Sequence, residues 1–226
     1  MQDLFTRGID IESGELRASF EDAPELYKET ELGWIPKEWD SKSLVHLTSL
    51  ITDGAHFSPV PQDEGFPIGN VKDMTPYGFN YDRCTKIKKE VFQELKRQNC
   101  SPIYGDVLLS KDGTIGKVFL FTSSEEIVLL SSIAIIRPNN LVIGEYLSHV
   151  LQSFYFDTEL YKLISGSALK RITLRDIQRI RIPFPKSHFE QKEIAERLIR
   201  VSKLVHDEEL SLMKYQKMKK GLMQDL

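Results

Sequence analysis

Cysteine is nearly absent from this 226-residue chain, which holds only Cys84 and Cys100. They stand in no metal-ligand spacing, which sets aside a zinc site and a stapled secreted domain, and they read as small core residues. Also missing is any apolar run near the roughly 20 residues that span a bilayer. The opening Met1–Asp10 carries acids where a secretory signal has a basic end and an apolar stretch. A cytoplasmic protein without membrane contact is expected. No Gly-rich loop follows a strand to hold a nucleotide or methyl donor, and the five histidines do not pair with Cys or carboxylates at ligand spacing. No cofactor and no metal are expected.

The basic excess of many nucleic-acid binders is lacking too, with 30 Lys and Arg against 33 Asp and Glu. The deficit is local. Residues 1–40 hold 11 acids and 4 bases, which leaves 22 acids and 26 bases in residues 41–226. Lys170, Arg171, Arg175, Arg179, Arg181 and Lys186 are opposed between them only by Asp176. Such a patch binds phosphate even on an acidic protein.

What is present suffices for one core and an appendage, since 41% of residues are hydrophobic and 10% aromatic. Residues 1–29 read as an acidic leader, a linker pinned to the surface by Leu32–Trp39, where two Trp bracket a Gly and a Pro. Residues 30–186 carry short β-type runs at Leu44–Ile51, Phe66–Val71, Asp106–Ser110, Val118–Thr122, Ile127–Leu130 and Ile133–Arg137, separated by turn residues. One helix is predicted over Gly144–Leu163, and Pro183-Phe184-Pro185 should stop any strand before it. The fold class is α+β: a mixed, β-rich domain with a helix, then a long coiled-coil-like C-terminal helix.

That last helix occupies residues 187–226. Ser187 followed by Glu190 forms a capping box, with the hydroxyl accepting from the Glu190 amide and the carboxylate reaching back. No Gly or Pro interrupts the next 33 residues or so, which gives a rod about 50 Å long. Ile194, Leu198, Val201, Val205, Leu212, Tyr215, Met218 and Leu222 form an apolar seam at three- and four-residue steps, apart from a gap around Glu208. A rod that overhangs a small domain has to meet something, so these eight are the candidate subunit interface. The chain also begins and ends with Met-Gln-Asp-Leu, which reads as one period of a tandem repeat.

Several segments together resemble the specificity subunit of type I restriction-modification systems, over essentially the whole chain. They are Leu32–Trp39, Thr52-Asp53-Gly54-Ala55-His56, Gly65–Val71, Gly105–Lys117, Gly166–Pro185, and Glu190-Gln191-Lys192-Glu193-Ile194-Ala195. The resemblance implies a target-recognition domain and a spacer helix in a non-catalytic subunit. Each recognition domain would read half of a bipartite site on double-stranded DNA. The helices would set the separation and bind methyltransferase subunits, and restriction subunits would join through the complex. The full subunit has two recognition domains where this chain has one, so it is either the second half of a longer subunit or a natural half-subunit. A half-subunit is expected to form a homodimer through the seam.

Three motifs suggest chemistry and fail on inspection. Ser101-Pro102-Ile103-Tyr104 is similar to the Ser/Asn/Asp-Pro-Pro-Tyr loop of adenine methyltransferases but lacks its second Pro. Gly113-Thr114-Ile115-Gly116-Lys117 shares its last two residues with a P-loop but has Lys111 and Val118 where that loop needs Gly and Ser or Thr. Flanked by apolar runs, it reads as a β-hairpin loop. Glu190-Gln191-Lys192 has the Glu-x-Lys form of some nuclease sites without an upstream Asp to share a metal. An active methyltransferase or nuclease is therefore set aside. The alternative kept open is a helical interaction scaffold that does not read DNA.

The candidate DNA contacts are basic and flat polar side chains in loop-rich segments. Lys86, Lys88 and Lys89 lie near Tyr77 and Tyr81, with Lys72 just upstream. Lys111 and Lys117 flank the hairpin tip, and Lys170 and Arg171 precede the last strand.

Overall fold

The structure, a computed structural model, describes residues 2–75, 78–164 and 171–224. A four-stranded antiparallel sheet organises the domain, with strands in the order Val118–Leu120, Val107–Ser110, Ile133–Pro138 and Thr48–Asp53. Its apolar runs are nearly continuous because both faces are buried. Val107, Leu109, Ala134 and Ile136 point to one core, while Leu108, Ile133, Ile135 and Phe119 point to another.

The first core is closed by the helices Gly144–Val150 and Phe154–Ile164 and by the foot of the C-terminal helix, His188–Gln224. Beyond the second lies a smaller sheet, ordered Val128–Leu129, Phe66–Gly69 and Thr85–Ile87. Its far side packs on the helix Lys89–Arg97 through Phe92 and Leu95. Gly54 sits where backbones nearly touch: an added Cβ would come within 2.0 Å of the Leu129 carbonyl oxygen. The mixed α+β architecture and the long last helix agree with the sequence reading.

Several boundaries differ from expectation. The run beginning at Leu44 is a helical turn, Leu44–Leu47, before the strand Thr48–Asp53, because Leu44 and Leu47 bury together at a helical spacing. The helix predicted over 144–163 is two helices. Ser153 breaks it, donating its hydroxyl to the Val150 carbonyl while its own carbonyl accepts from the Asp157 amide. Pro183 and Pro185 stand inside a strand, Arg181–Pro185, which among the described residues pairs only with Trp39–Ser43 and so can leave one edge without donors.

The acidic leader, expected as a linker pinned to the surface, reaches into the interior. It holds a helix Gln2–Thr6 and a hairpin, Tyr27–Thr30 with Gly33–Pro36, and it buries Phe5 and Ile9 in the main core. Two further helices lie outside the sequence expectation: Lys89–Arg97, which buries Phe92 and Leu95 at a three-residue step, and Leu174–Arg179, opened by a Thr173–Asp176 capping box.

Both cysteines are buried and free. Burial, with the Asp73 charge adding to it, pushes the Cys84 thiol up to about 11, and burial raises that of Cys100. A raised pKa depletes the reactive thiolate. Native protein at pH 8 is expected to resist iodoacetamide at both positions and to react at both once denatured, as read by mass spectrometry. Rapid native labelling of Cys84 would contradict its placement.

Candidate nucleic-acid interface

A basic face forms where four segments meet. The hairpin loop between Val107–Ser110 and Val118–Leu120 turns as expected, with Gly113 and Gly116 at φ +72° and +90°. The Ser110 hydroxyl donates to the Thr114 carbonyl at 2.6 Å and accepts from the Lys117 amide at 2.8 Å, which closes the loop. Alongside it lies the single turn Val71–Asp73, capped reciprocally by Asn70 and Asp73. The Ser132 hydroxyl donates to the Asn70 side-chain oxygen at 3.2 Å. The fourth segment arrives when Ile172 donates its amide to the Lys111 carbonyl and Arg171 comes within 3.8 Å of the Asp112 carboxylate.

These segments enclose a shallow depression of about 400 Å³, lined by Asn70, Lys72, Asp112, Thr114, Lys117 and Ser132. Lys72, Lys117 and Arg171 are exposed around it. Lys117 reaches the Val71 carbonyl at 3.3 Å, which leaves further ammonium protons for another acceptor.

Lys111 does not share that exposure. It is 2% exposed and forms an ion pair with buried Asp53 at 3.0 Å, because the backbone turns it inward as the strand ends. The same carboxylate bonds the ring of His56, which is an exposed residue, at 3.0 Å from Nε2. Asp53 and His56 belong to a segment quoted above, yet their pairing with Lys111 had no sequence signal.

The other candidates spread elsewhere. Lys86 is half-buried within the strand Thr85–Ile87, Lys88 precedes the helix Lys89–Arg97, and Lys89 opens it. This region is regular structure rather than loop, because Ile87 and Phe92 anchor it in a small core of its own. Tyr81 is not a free flat surface: it packs edge-on against Phe79, and its hydroxyl donates to the Glu125 carbonyl at 3.4 Å. Burial raises its pKa. Tyr77 and Lys170 lie outside the described residues.

A second feature is the root of the C-terminal helix. The Glu190 amide donates to Ser187 Oγ at 3.4 Å, half of the expected capping box. Its carboxylate turns away, into the protein. There it takes a bidentate pair from Arg17, the Trp39 indole N–H at 2.9 Å and the Ile9 amide at 3.0 Å. Burial works against the Arg17 charge, but the bonds from Glu190 outweigh it and raise the guanidinium pKa. Gly8 is required beside this cluster: at φ +65°, an added Cβ would lie 2.5 Å from both Arg17 and Glu190 atoms. Gln191 is buried and fully used, accepting from the Ile143 amide and donating to the Leu141 and Pro185 carbonyls. The Glu-x-Lys pattern is thus an anchor, and among the described residues no cluster of three His, Cys, Asp or Glu could hold a metal.

The seam divides at Leu198. Ile194 and Leu198 are 0% and 1% exposed, packed on their own domain, so they are not free for another subunit. Val201, Val205, Leu212, Tyr215 and Met218 are exposed, with Val205 at 52% and Tyr215 at 66%. Leu204, which the sequence reading omitted, adds to the same stripe at 66%. The side chain of Leu222 lies outside the described ones. About 26 residues project past Leu198, roughly 39 Å of helix. Among the described residues no helix is long and apolar enough to cross a membrane.

A β-rich domain with a projecting helix is the fold of solved type I restriction-modification chains. One, from a structure on complex assembly and conformational transition of such a system, aligns with TM-score 0.63 at 19% identity, covering 89% of this chain and 47% of that one. The HsdS subunit from Thermoanaerobacter tengcongensis aligns with TM-score 0.57 at 19% identity, covering 83% and 43%. Residues 60–212 match the family model of the type I restriction modification DNA specificity domain, and the chain belongs to that family. Among curated relatives, the putative MjaX specificity subunit of Methanocaldococcus jannaschii is 28% identical over 216 residues, 89% of this chain and 48% of its own length. The MjaIX specificity subunit of the same organism is 22% identical over 170 residues, 74% and 38%. The chain thus spans about half the length of the curated relatives it matches or less.

Proposed function

We propose that this chain supplies DNA sequence specificity to a cytoplasmic type I restriction-modification complex, reading one half of a bipartite site, and that it performs no chemistry itself. Methyltransferase and restriction subunits act through the complex, and two copies pair along the exposed stripe from Val201 to Met218. The observation carrying this reading is that the DNA specificity family match runs into the projecting helix, taking in the basic face and the stripe as far as Leu212. One domain offers few base contacts, whereas two domains joined by a helical pair gain from effective concentration.

Co-expression with the cognate methyltransferase subunit, followed by mapping of methylated adenines in host DNA, tests it. A split, two-fold symmetric site is expected. An undivided or asymmetric site would rule out the pairing, and no methylation would rule out the role.

The lysine face carries a separate expectation. Replacing Lys72 and Lys117 together with Glu should weaken binding to every duplex and flatten the plot of log affinity against log salt by about one unit per lost phosphate contact. An unchanged slope in fluorescence anisotropy would remove these two lysines from the interface.

A further inference from the structure

Asp53 is 7% exposed and uses both carboxylate oxygens: Oδ2 faces the Lys111 ammonium and Oδ1 faces His56 Nε2, each at 3.0 Å. An ion-paired carboxylate only accepts hydrogen bonds, so Nε2 carries the proton on the neutral imidazole. That fixes the tautomer and leaves Nδ1 as an acceptor. The His56 side chain is 69% exposed, and its only hydrogen bond among the described residues is the one to Asp53.

Backbone contacts fix the segment that leads into His56. The Ala55 amide donates to the Leu129 carbonyl at 2.7 Å, the Ser131 amide donates to the Ala55 carbonyl at 2.9 Å, and Gly54 lies against the Leu129 backbone. Lys111, at the other end of the relay, continues directly into the loop bearing Asp112 and Lys117. The histidine and the basic depression therefore spring from one buried ion pair.

We propose that His56 is a base-reading residue whose accepting Nδ1 takes a hydrogen bond from an exocyclic amino group in the major groove, with Asp53 and Lys111 as its positioning residues. The amino donors available there are adenine N6 and cytosine N4. Thymine and guanine offer only acceptors at the matching places, so the fixed tautomer selects against them. This inference rests on the DNA-reading role proposed above and names the base chemistry of that face.

The test uses the full chain in complex with its methyltransferase subunit, selecting bound duplexes from a random-sequence pool. The unaltered complex should enrich a defined site. Enrichment of no sequence would remove the DNA-reading role, and this inference with it. His56→Ala should erase an adenine or cytosine preference at one position of the half-site, a loss of about five- to tenfold, and leave the other positions and the salt slope intact. Asp53→Asn, which offers the ring a donor in place of a pure acceptor, should blur or invert that same position. Lys111→Met should blur it without changing the salt slope, whereas a direct phosphate contact would lower the slope by about one. His56→Ala leaving every position unchanged, or weakening all of them equally, overturns the proposal. Should the buried variants fail to fold, exposed His56 decides the matter by itself.

Discussion

Glu190→Ala is expected to destabilise the protein by about 3–5 kcal/mol, the cost of breaking a buried ion pair by removing one partner. The substitution strands the Arg17 guanidinium and leaves the Trp39 indole and the Ile9 amide without their acceptor. Arg17 keeps the carboxylate of Glu38 at 3.1 Å, but that partner is largely exposed and replaces little. For a chain of this size the loss corresponds to a fall in melting temperature of about 6–20 °C. Glu190→Gln should cost less, because an amide oxygen still accepts from Trp39 and Ile9. Denaturant titrations of the three proteins measure the differences. If Glu190→Ala melted within about 2 °C of the unaltered chain, the cluster would not be what holds the leader to the helix root.

The second large effect concerns the stripe beyond Leu198. On the proposed pairing, Val205→Asp combined with Leu212→Asp should give monomers in light scattering where the unaltered chain gives dimers, since burying carboxylates in an apolar seam without partners costs several kcal/mol per copy. Both residues are exposed within a single chain, so the melting temperature of the isolated domain should stay put. Methylation of split sites by the complex should fall by about a hundredfold or more, as the joint binding of two half-sites is lost. Leu198→Asp makes the contrasting control. Buried on its own domain, it should unfold the helix root rather than separate copies. Persistence of dimers in the double variant would place the pairing elsewhere.

These two predictions mark where sequence and structure part. The hairpin loop at 110–117 was legible because its glycines, flanking apolar runs and polar tip all act within a few residues. The start of the long helix was legible for the same reason. Glu190 was only half legible: its amide bond to Ser187 is local, while the carboxylate's partner Arg17 is 173 residues away in sequence. The leader looked like a linker because Phe5 and Ile9 are sparse among acids, and no periodic pattern announces a pair of anchors that fill a distant core.

On the basic face, a lysine beside a hairpin tip reads as exposed, and only the fold reveals that Asp53 waits beneath Lys111. The seam keeps the same three- and four-residue steps on both sides of Leu198, so periodicity could not say where contact with the chain's own domain ends. The helix Lys89–Arg97 is only nine residues long, so Phe92 and Leu95 make a single apolar step, too short a run to establish a helical period.

The three hydrogen bonds of Gln191 also bear on distance along DNA. This side chain ties the helix to the Leu141 and Pro185 carbonyls and the Ile143 amide, so with Glu190, Ile194 and Leu198 it sets the angle at which a lever arm of about 39 Å leaves the domain. A swing of only about five degrees at that root displaces the tip by roughly 3.4 Å, one base-pair rise. If two copies pair as proposed and gauge the gap between half-sites, the ruler has to be held stiffly at the handle, and this buried glutamine is the clamp.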